Sequence, residues 1–206
     1  MDIIKSISYS NEEIISSILK LHCKGNISLD PTYSKGYLYK NLAEPSIKMD
    51  ILPMTKDTIQ ADVESLPLPD NSMETILFDP PFLATTGNIT AEEGHNIIVR
   101  RFGRYSNEKE LHSFYSSALQ ELHRVLQNKG VLIFKSQDKV SGGRQYFSHV
   151  FIINEAVRIG YYVKDLFILL AKNRIVADWQ RNQKHARKFH SYFIVLEKSK
   201  RKIEYT

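Results

Sequence analysis

Two hydrophobic periods alternate along this chain. Ile14, Ile15, Ile18 and Leu19 recur at helical spacing behind Ser10-Asn11-Glu12-Glu13, which has the form of a capping box, so an amphipathic helix is predicted near the N-terminus. From Asn107 onward, Leu111, Tyr115, Ala118, Leu122 and Val125 follow at steps of three and four, and Lys129-Gly130 is predicted to close that helix. A third helical stretch runs from Val150 to Ile159 and stops at Gly160.

Between and after these lie short apolar runs bounded by turn residues: Asn26–Asp30, Ile47–Asp50, Thr58–Asp62, Thr75–Phe78, Val131–Lys135, Leu166–Leu170 and Tyr192–Leu196. Each is predicted as a strand, seven in all. Strands alternating with helical patterns imply a mostly parallel sheet covered by helices on both faces. The last two runs have no full helix signal between them, so the sheet is predicted to end in an antiparallel strand.

Composition narrows the class. With 206 residues and 42% hydrophobic content the chain can bury a sizeable core, and nothing forces a split, so residues 1–206 are read as one domain. No run of about 18 apolar residues marks a membrane span, and the charged N-terminus lacks the apolar region of a signal peptide; cytoplasmic residence is the expectation. A lone Cys23 excludes an intramolecular disulfide. His185 and His190 have no carboxylate or cysteine at ligand spacing, so no metal is expected.

In open α/β sheets, ligands bind at the carboxyl ends of the strands. Four successive runs lead into acidic residues there: Asp30, Asp50, Asp62 and Asp79. Any one of them reads as a solvated turn residue; four in order point to a site. No G-x-G-x-x-G follows any run, which disfavours a dinucleotide oxidoreductase.

Asp79-Pro80-Pro81-Phe82, directly after Thr75–Phe78, resembles the catalytic tetrapeptide of S-adenosylmethionine-dependent nucleobase amino-methyltransferases, Asp/Asn/Ser-Pro-Pro-Tyr/Phe/Trp. The resemblance implies that the Asp79 carboxylate and the Pro80 carbonyl accept the two N–H bonds of an exocyclic amino group. Its lone pair then points at the methyl donor, so catalysis is positioning plus electrostatics. Pro80 and Pro81 stiffen the turn, and Phe82 offers a face on which an extruded base can stack.

Asp30-Pro31-Thr32-Tyr33-Ser34-Lys35-Gly36 is similar to the same family's cofactor loop, Asp-Pro-Phe-x-Gly-Ser-Gly, with Gly36 the one glycine left. On this likeness Asp30, Pro31, Tyr33 and Gly36 line the methionine end of S-adenosylmethionine, Asp50 accepts from the ribose hydroxyls, Asp62 receives the adenine amino group and Val63 covers the ring. The implied architecture is the Rossmann-like class I methyltransferase fold, over nearly the whole chain.

The net charge of +5 is concentrated at residues 184–190, and arginines also gather in one long segment. Arg100, Arg101 and Arg104 stand beside Gly87, Gly94 and Gly103 in the long segment 83–106, and Lys184, Arg187 and Lys188 cluster near the C-terminus. Both are read as phosphate-contacting groups for a nucleic acid, and Gly142-Gly143-Arg144 is expected to flank the same cleft. Trp179 is read as a loop anchor. The seven strands use up the chain, so no separate target-recognition domain is expected. Recognition then falls to the long loops or to a partner protein. The resemblance implies a compact, phage-type DNA methyltransferase acting on adenine N6 in preference to cytosine N4. RNA base methylation and a catalytically silent nucleic-acid-binding subunit are the alternatives; the residues do not choose an oligomeric state.

Overall fold

The structure is a computed structural model that describes residues 3–82, 105–141, 143–172 and 185–201. Its elements run β1 (Ile7–Ser8), α1 (Asn11–His22), β2 (Leu29–Asp30), a 3-10 turn (Tyr37–Tyr39), β3 (Ile47–Asp50), β4 (Ile59–Gln60) and β5 (Met73–Phe78). They continue with α2 (Glu108–Val125), β6 (Leu126–Ser136), β7 (Lys139–Ser141), β8 (Arg144–Tyr146), α3 (Ser148–Ile159), β9 (Tyr161–Leu170) and β10 (His190–Lys198).

Eight strands form one sheet in the order β1-β9-β10-β6-β5-β2-β3-β4, and β7 pairs with β8 as a separate ribbon. Strand β10 is antiparallel to both its neighbours, whereas every other adjacent pair in the large sheet is parallel. All seven predicted runs enter this sheet. The sequence reading missed β1, which adds to the outer edge beside β9, and the β7–β8 ribbon; runs of two or three residues are too short to show a period.

The period-two alternation of the central strands sorts their side chains to two faces. Ile76 and Phe78 of β5, Leu132 and Phe134 of β6, and Ile194 and Leu196 of β10 join one core with Leu111, Tyr115, Leu122 of α2 and Ile152, Ala156 of α3. Leu77, Val131, Ile133, Phe193 and Val195 face the other way and meet Ile14, Ile15 and Ile18 of α1. Those three isoleucines are essentially fully buried, each contributing about 1.5–3 kcal/mol of transfer free energy. Ser10 caps α1 as predicted: its side chain accepts the Glu13 N–H at 3.2 Å.

One boundary differs from expectation. Helix α2 ends at Val125, and the Lys129-Gly130 pair lies inside the span of β6. Leu126 pairs with Met73 and Val131 with Thr75, so the intervening residues form an irregularity in the ladder, with Lys129 at φ +64°. A Cβ on Gly130 would stand 2.9 Å from the backbone oxygens of Glu74 and Gln127. The glycine is there for close backbone approach, a role that in sequence looks like a helix stop.

Strands β2 and β5 lie side by side, with β3 and β4 beyond β2 and with β6 beyond β5. The connections therefore diverge between β2 and β5, which creates a crevice at their carboxyl ends. Asp30 closes β2 and Asp79 follows β5, so both flank it.

Candidate active site

Asp30 is 1% exposed, and its carboxylate is fully engaged. Oδ1 accepts from the Thr32 N–H at 2.8 Å and the Thr32 hydroxyl at 3.0 Å, and Oδ2 accepts from the Tyr39 hydroxyl at 2.7 Å. Burial nevertheless outweighs these three bonds and, with nearby Asp79 adding to it, pushes the carboxyl up to about 7. Burial and the facing Asp30 carboxylate likewise hold the Tyr39 phenol well above its ordinary range.

The loop after Asp30 doubles back under two left-handed residues, Ser34 at φ +57° and Gly36 at φ +69°. Ser34 occupies the place where the resembled loop has its first glycine, and a serine here takes the left-handed conformation that glycine favours. The Ser34 N–H donates to Asp50 Oδ2 at 2.9 Å and the Leu52 N–H to Asp50 Oδ1 at 2.8 Å, which ties the loop to the end of β3. Tyr33 packs over Gly36: an added Cβ would lie 2.7 Å from its Cζ. The Tyr33 ring also stacks on Tyr39, centroids 5.6 Å apart.

The tetrapeptide is held from four directions. The Asp79 N–H donates to Thr32 Oγ1 at 3.0 Å, and the Lys135 ammonium donates to Asp79 Oδ2 at 3.0 Å. The Tyr115 hydroxyl donates to Pro81 O at 2.6 Å, and Lys139 donates to Phe82 O. Lys139 is itself buried and paired with buried Glu108 at 2.9 Å; burial lowers its ammonium pKa against the opposing pull of that carboxylate. No described residue donates to Asp79 Oδ1 or to Pro80 O.

These groups surround a cavity of about 540 Å³, within the range of small-ligand sites. The predicted residues Asp30, Pro31, Tyr33 and Asp50 line one side, and Asp79, Pro80, Pro81 and Phe82 another. Asp62 and Val63 also reach it; Asp62 sits just past β4, with Oδ1 accepting the Glu64 N–H at 3.1 Å. Gly36 supports the wall without lining it. Sequence reading missed Lys135, Thr32, Tyr39, Tyr105 and Phe114, all of which also line the cavity. A lysine closing the apolar run Val131–Phe134 at the carboxyl edge was a usable signal for Lys135. Tyr39 and Phe114 offered none, because an aromatic on a loop or on an apolar helix face reads as core.

The basic groups divide. Arg100, Arg101, Arg104 and Lys184, together with Trp179 and Gly142, lie outside the described residues. Arg187 and Lys188 are half-buried and are not among the cavity-lining residues. Their segment touches the β7–β8 ribbon, where the His185 ring nitrogen Nε2 lies 3.0 Å from Gly143 O.

No family model and no curated protein sequence matches the chain. Among solved structures, a Galdieria sulphuraria protein provisionally assigned as a sarcosine dimethylglycine methyltransferase matches with a TM-score of 0.55 and 14% identity, over 93% of this chain and 86% of that one. The [4+2]-cyclase SpnF matches with a TM-score of 0.54 and 12% identity, over 91% and 80%. The PvuII cytosine-N4-specific DNA methyltransferase matches with a TM-score of 0.49 and 11% identity, over 66% of this chain and 46% of that one. The chain spans about half the length of the DNA methylase structures it matches. The fold is the Rossmann-like fold of class I methyltransferases. A cyclase among the matches shows that this fold leaves the reaction open.

Proposed function

We propose that this chain transfers a methyl group from S-adenosylmethionine to the exocyclic amino group of a nucleobase in DNA, with adenine N6 favoured over cytosine N4. One observation carries the reading: of the tetrapeptide's acceptors, Pro81 O, Phe82 O and Asp79 Oδ2 are engaged, while no described residue donates to Asp79 Oδ1 or Pro80 O. Two acceptors that no described residue engages, beside an aromatic face, suit a planar base bearing an NH₂ group.

The cavity suits the cofactor on its chemistry. Buried Asp30 and nearby Asp79 favour a positive charge between them, Asp50 offers carboxylate lone pairs to ribose hydroxyls, and Asp62 with Val63 offers an acceptor and an apolar cover for adenine. When bound, S-adenosylmethionine supplies an electrophilic methyl group on a cationic sulfur. This chain's residues do the rest. Phe82 stacks the base, and Asp79 Oδ1 and Pro80 O each accept one amino N–H, which orients the nitrogen lone pair. Asp30, Asp50 and Asp62 would hold the cofactor so that its methyl group meets that lone pair, the electron pair of the carbon–sulfur bond leaving with sulfur. The extra proton on nitrogen passes along the Asp79 hydrogen bond toward solvent. Arg187 and Lys188, with the arginines of segment 83–106, provide phosphate contacts in this reading.

The test is to incubate the protein with isotopically labelled S-adenosylmethionine and unmodified DNA and RNA, then digest and identify labelled nucleosides by mass spectrometry. Label in N6-methyldeoxyadenosine is expected. Label confined to a ribonucleoside would move the substrate to RNA, and cofactor binding without any label would remove the catalytic reading.

A further inference from the structure

Lys135 brings a second, oppositely charged group to the place where the amino group would bind. Its side chain is 12% exposed, and its ammonium stands 3.0 Å from Asp79 Oδ2, 5.9 Å from the centroid of the Phe82 ring and 5.7 Å from that of Phe193. Asp79 is the only hydrogen-bond acceptor it has among the described residues. An ammonium carries three N–H donors, so donors remain for a bound molecule in a largely desolvated position. Asp79 and Lys135 thus offer an acceptor and a donor side by side at the edge of an aromatic platform.

Resting on the amino-methylation reading, we propose that Lys135 contacts the substrate and reads the ring nitrogen next to the amino group. Adenine presents N6–H beside N1, and cytosine presents N4–H beside N3; each is a donor flanked by an acceptor. The Asp79–Lys135 pair is its complement. Adjacent donor and acceptor atoms of one side chain read adenine by the same bidentate logic, as Asn and Gln do in the major groove, and enzymes that extrude a base read its Watson–Crick edge. A positive group beside the ring nitrogen does not make the amino group more nucleophilic, so what Lys135 contributes is orientation.

The experiment deletes the two partners separately. Oligonucleotides carry adenine, 1-deazaadenine or 7-deazaadenine at the methylated position; if nucleoside analysis names cytosine, cytosine and 3-deazacytosine replace them. Each is assayed for kcat/KM with the unmodified protein, Lys135→Met and Lys135→Arg. For the unmodified protein, 1-deazaadenine is expected to lower kcat/KM about 10- to 100-fold relative to adenine, the loss typical of a hydrogen bond to a charged group, whereas 7-deazaadenine lowers it little. Lys135→Met should lose activity on adenine and no longer distinguish adenine from 1-deazaadenine. Lys135→Arg keeps a donor and should keep the distinction.

Comparing ratios cancels the intrinsic change in amino reactivity that a deaza base brings, and a merely structural lysine would leave those ratios untouched. An unmodified protein that accepts 1-deazaadenine as readily as adenine overturns the proposal, as does a Lys135→Met variant that keeps the full penalty. If Lys135→Met does not fold, the unmodified protein and Lys135→Arg decide the matter alone. Absence of transfer to any base by the unmodified protein instead overturns the amino-methylation reading, and the role of Lys135 falls with it.

Discussion

Thr32 Oγ1 accepts the backbone N–H of Asp79 at 3.0 Å, although 47 residues separate the two in sequence. The same hydroxyl donates to Asp30 Oδ1, so one threonine joins the ends of β2 and β5 across the crevice. The loop after Asp30 and the turn that carries the tetrapeptide are therefore tied to each other by a single side chain.

Thr32→Val keeps the shape and removes the hydroxyl. It is expected to destabilise the fold by about 1–3 kcal/mol, because a part-buried N–H and a buried carboxylate oxygen each lose a partner. Thr32→Ser should stay close to the unmodified protein. Urea unfolding of the two variants side by side checks this.

Asp79→Ala should lower methyl transfer by at least about a hundredfold, the scale on which loss of one preorganised electrostatic partner is felt. Binding of S-adenosylmethionine, measured by calorimetry, should change little. A variant that still transfers methyl groups at the unmodified rate would take Asp79 out of its proposed role.

The buried Asp30 carboxyl gives the fold a pH dependence. Its folded-state value, near 7, stands above its ordinary value of 3.8, so the folded protein holds this proton more tightly than the unfolded chain. The associated stability is complete below about pH 4, declines as pH rises toward 7 and is gone above that, a change on the order of 4 kcal/mol. Asp30→Asn should flatten that part of the stability profile. Binding of a cationic cofactor favours the ionised carboxylate, so calorimetry near pH 6 in buffers of different ionisation enthalpy should show proton release in the unmodified protein and none in the variant.

Gly36→Ala should be costly. The position has φ +69°, and the new Cβ would press on the Tyr33 ring. The left-handed conformation alone accounts for about 1–2 kcal/mol, and displacing Tyr33 adds to it. Ser34→Gly changes a residue already at φ +57° and should be neutral or mildly stabilising. Thermal unfolding of both variants, with cofactor titrations, checks the pair.

Much of this was legible beforehand because it rests on local pattern. The seven runs, the N-cap at Ser10 and the aspartates at four strand ends depend on side-chain period and turn chemistry, which a sequence displays directly, although the Ser10 N–H goes to Ser8 Oγ and not to Glu13 as a full capping box would have it. Glycine signals were legible in type but not in role: Gly160 ends α3 in a left-handed conformation as read, whereas Gly130 fills a close contact between β5 and β6. The first glycine of the resembled cofactor loop is absent from the sequence, and Ser34, which stands in its place, takes a left-handed backbone at φ +57°. Hydrogen bonds from the Ser34 N–H to Asp50 and from the Gly36 N–H to Tyr33 O hold the turn.

What the chain determined by itself is the class of fold and the row of carboxylates, since period and strand-end position are properties of neighbouring residues. What only the tertiary structure decided is which groups meet at the crevice. Lys135, Tyr115 and Lys139 come from 34 to 57 residues away to engage Asp79, Pro81 and Phe82. That convergence follows from strand order and from the divergence of connections between β2 and β5. Sheet order is set by packing of whole elements, which no local stretch of sequence encodes.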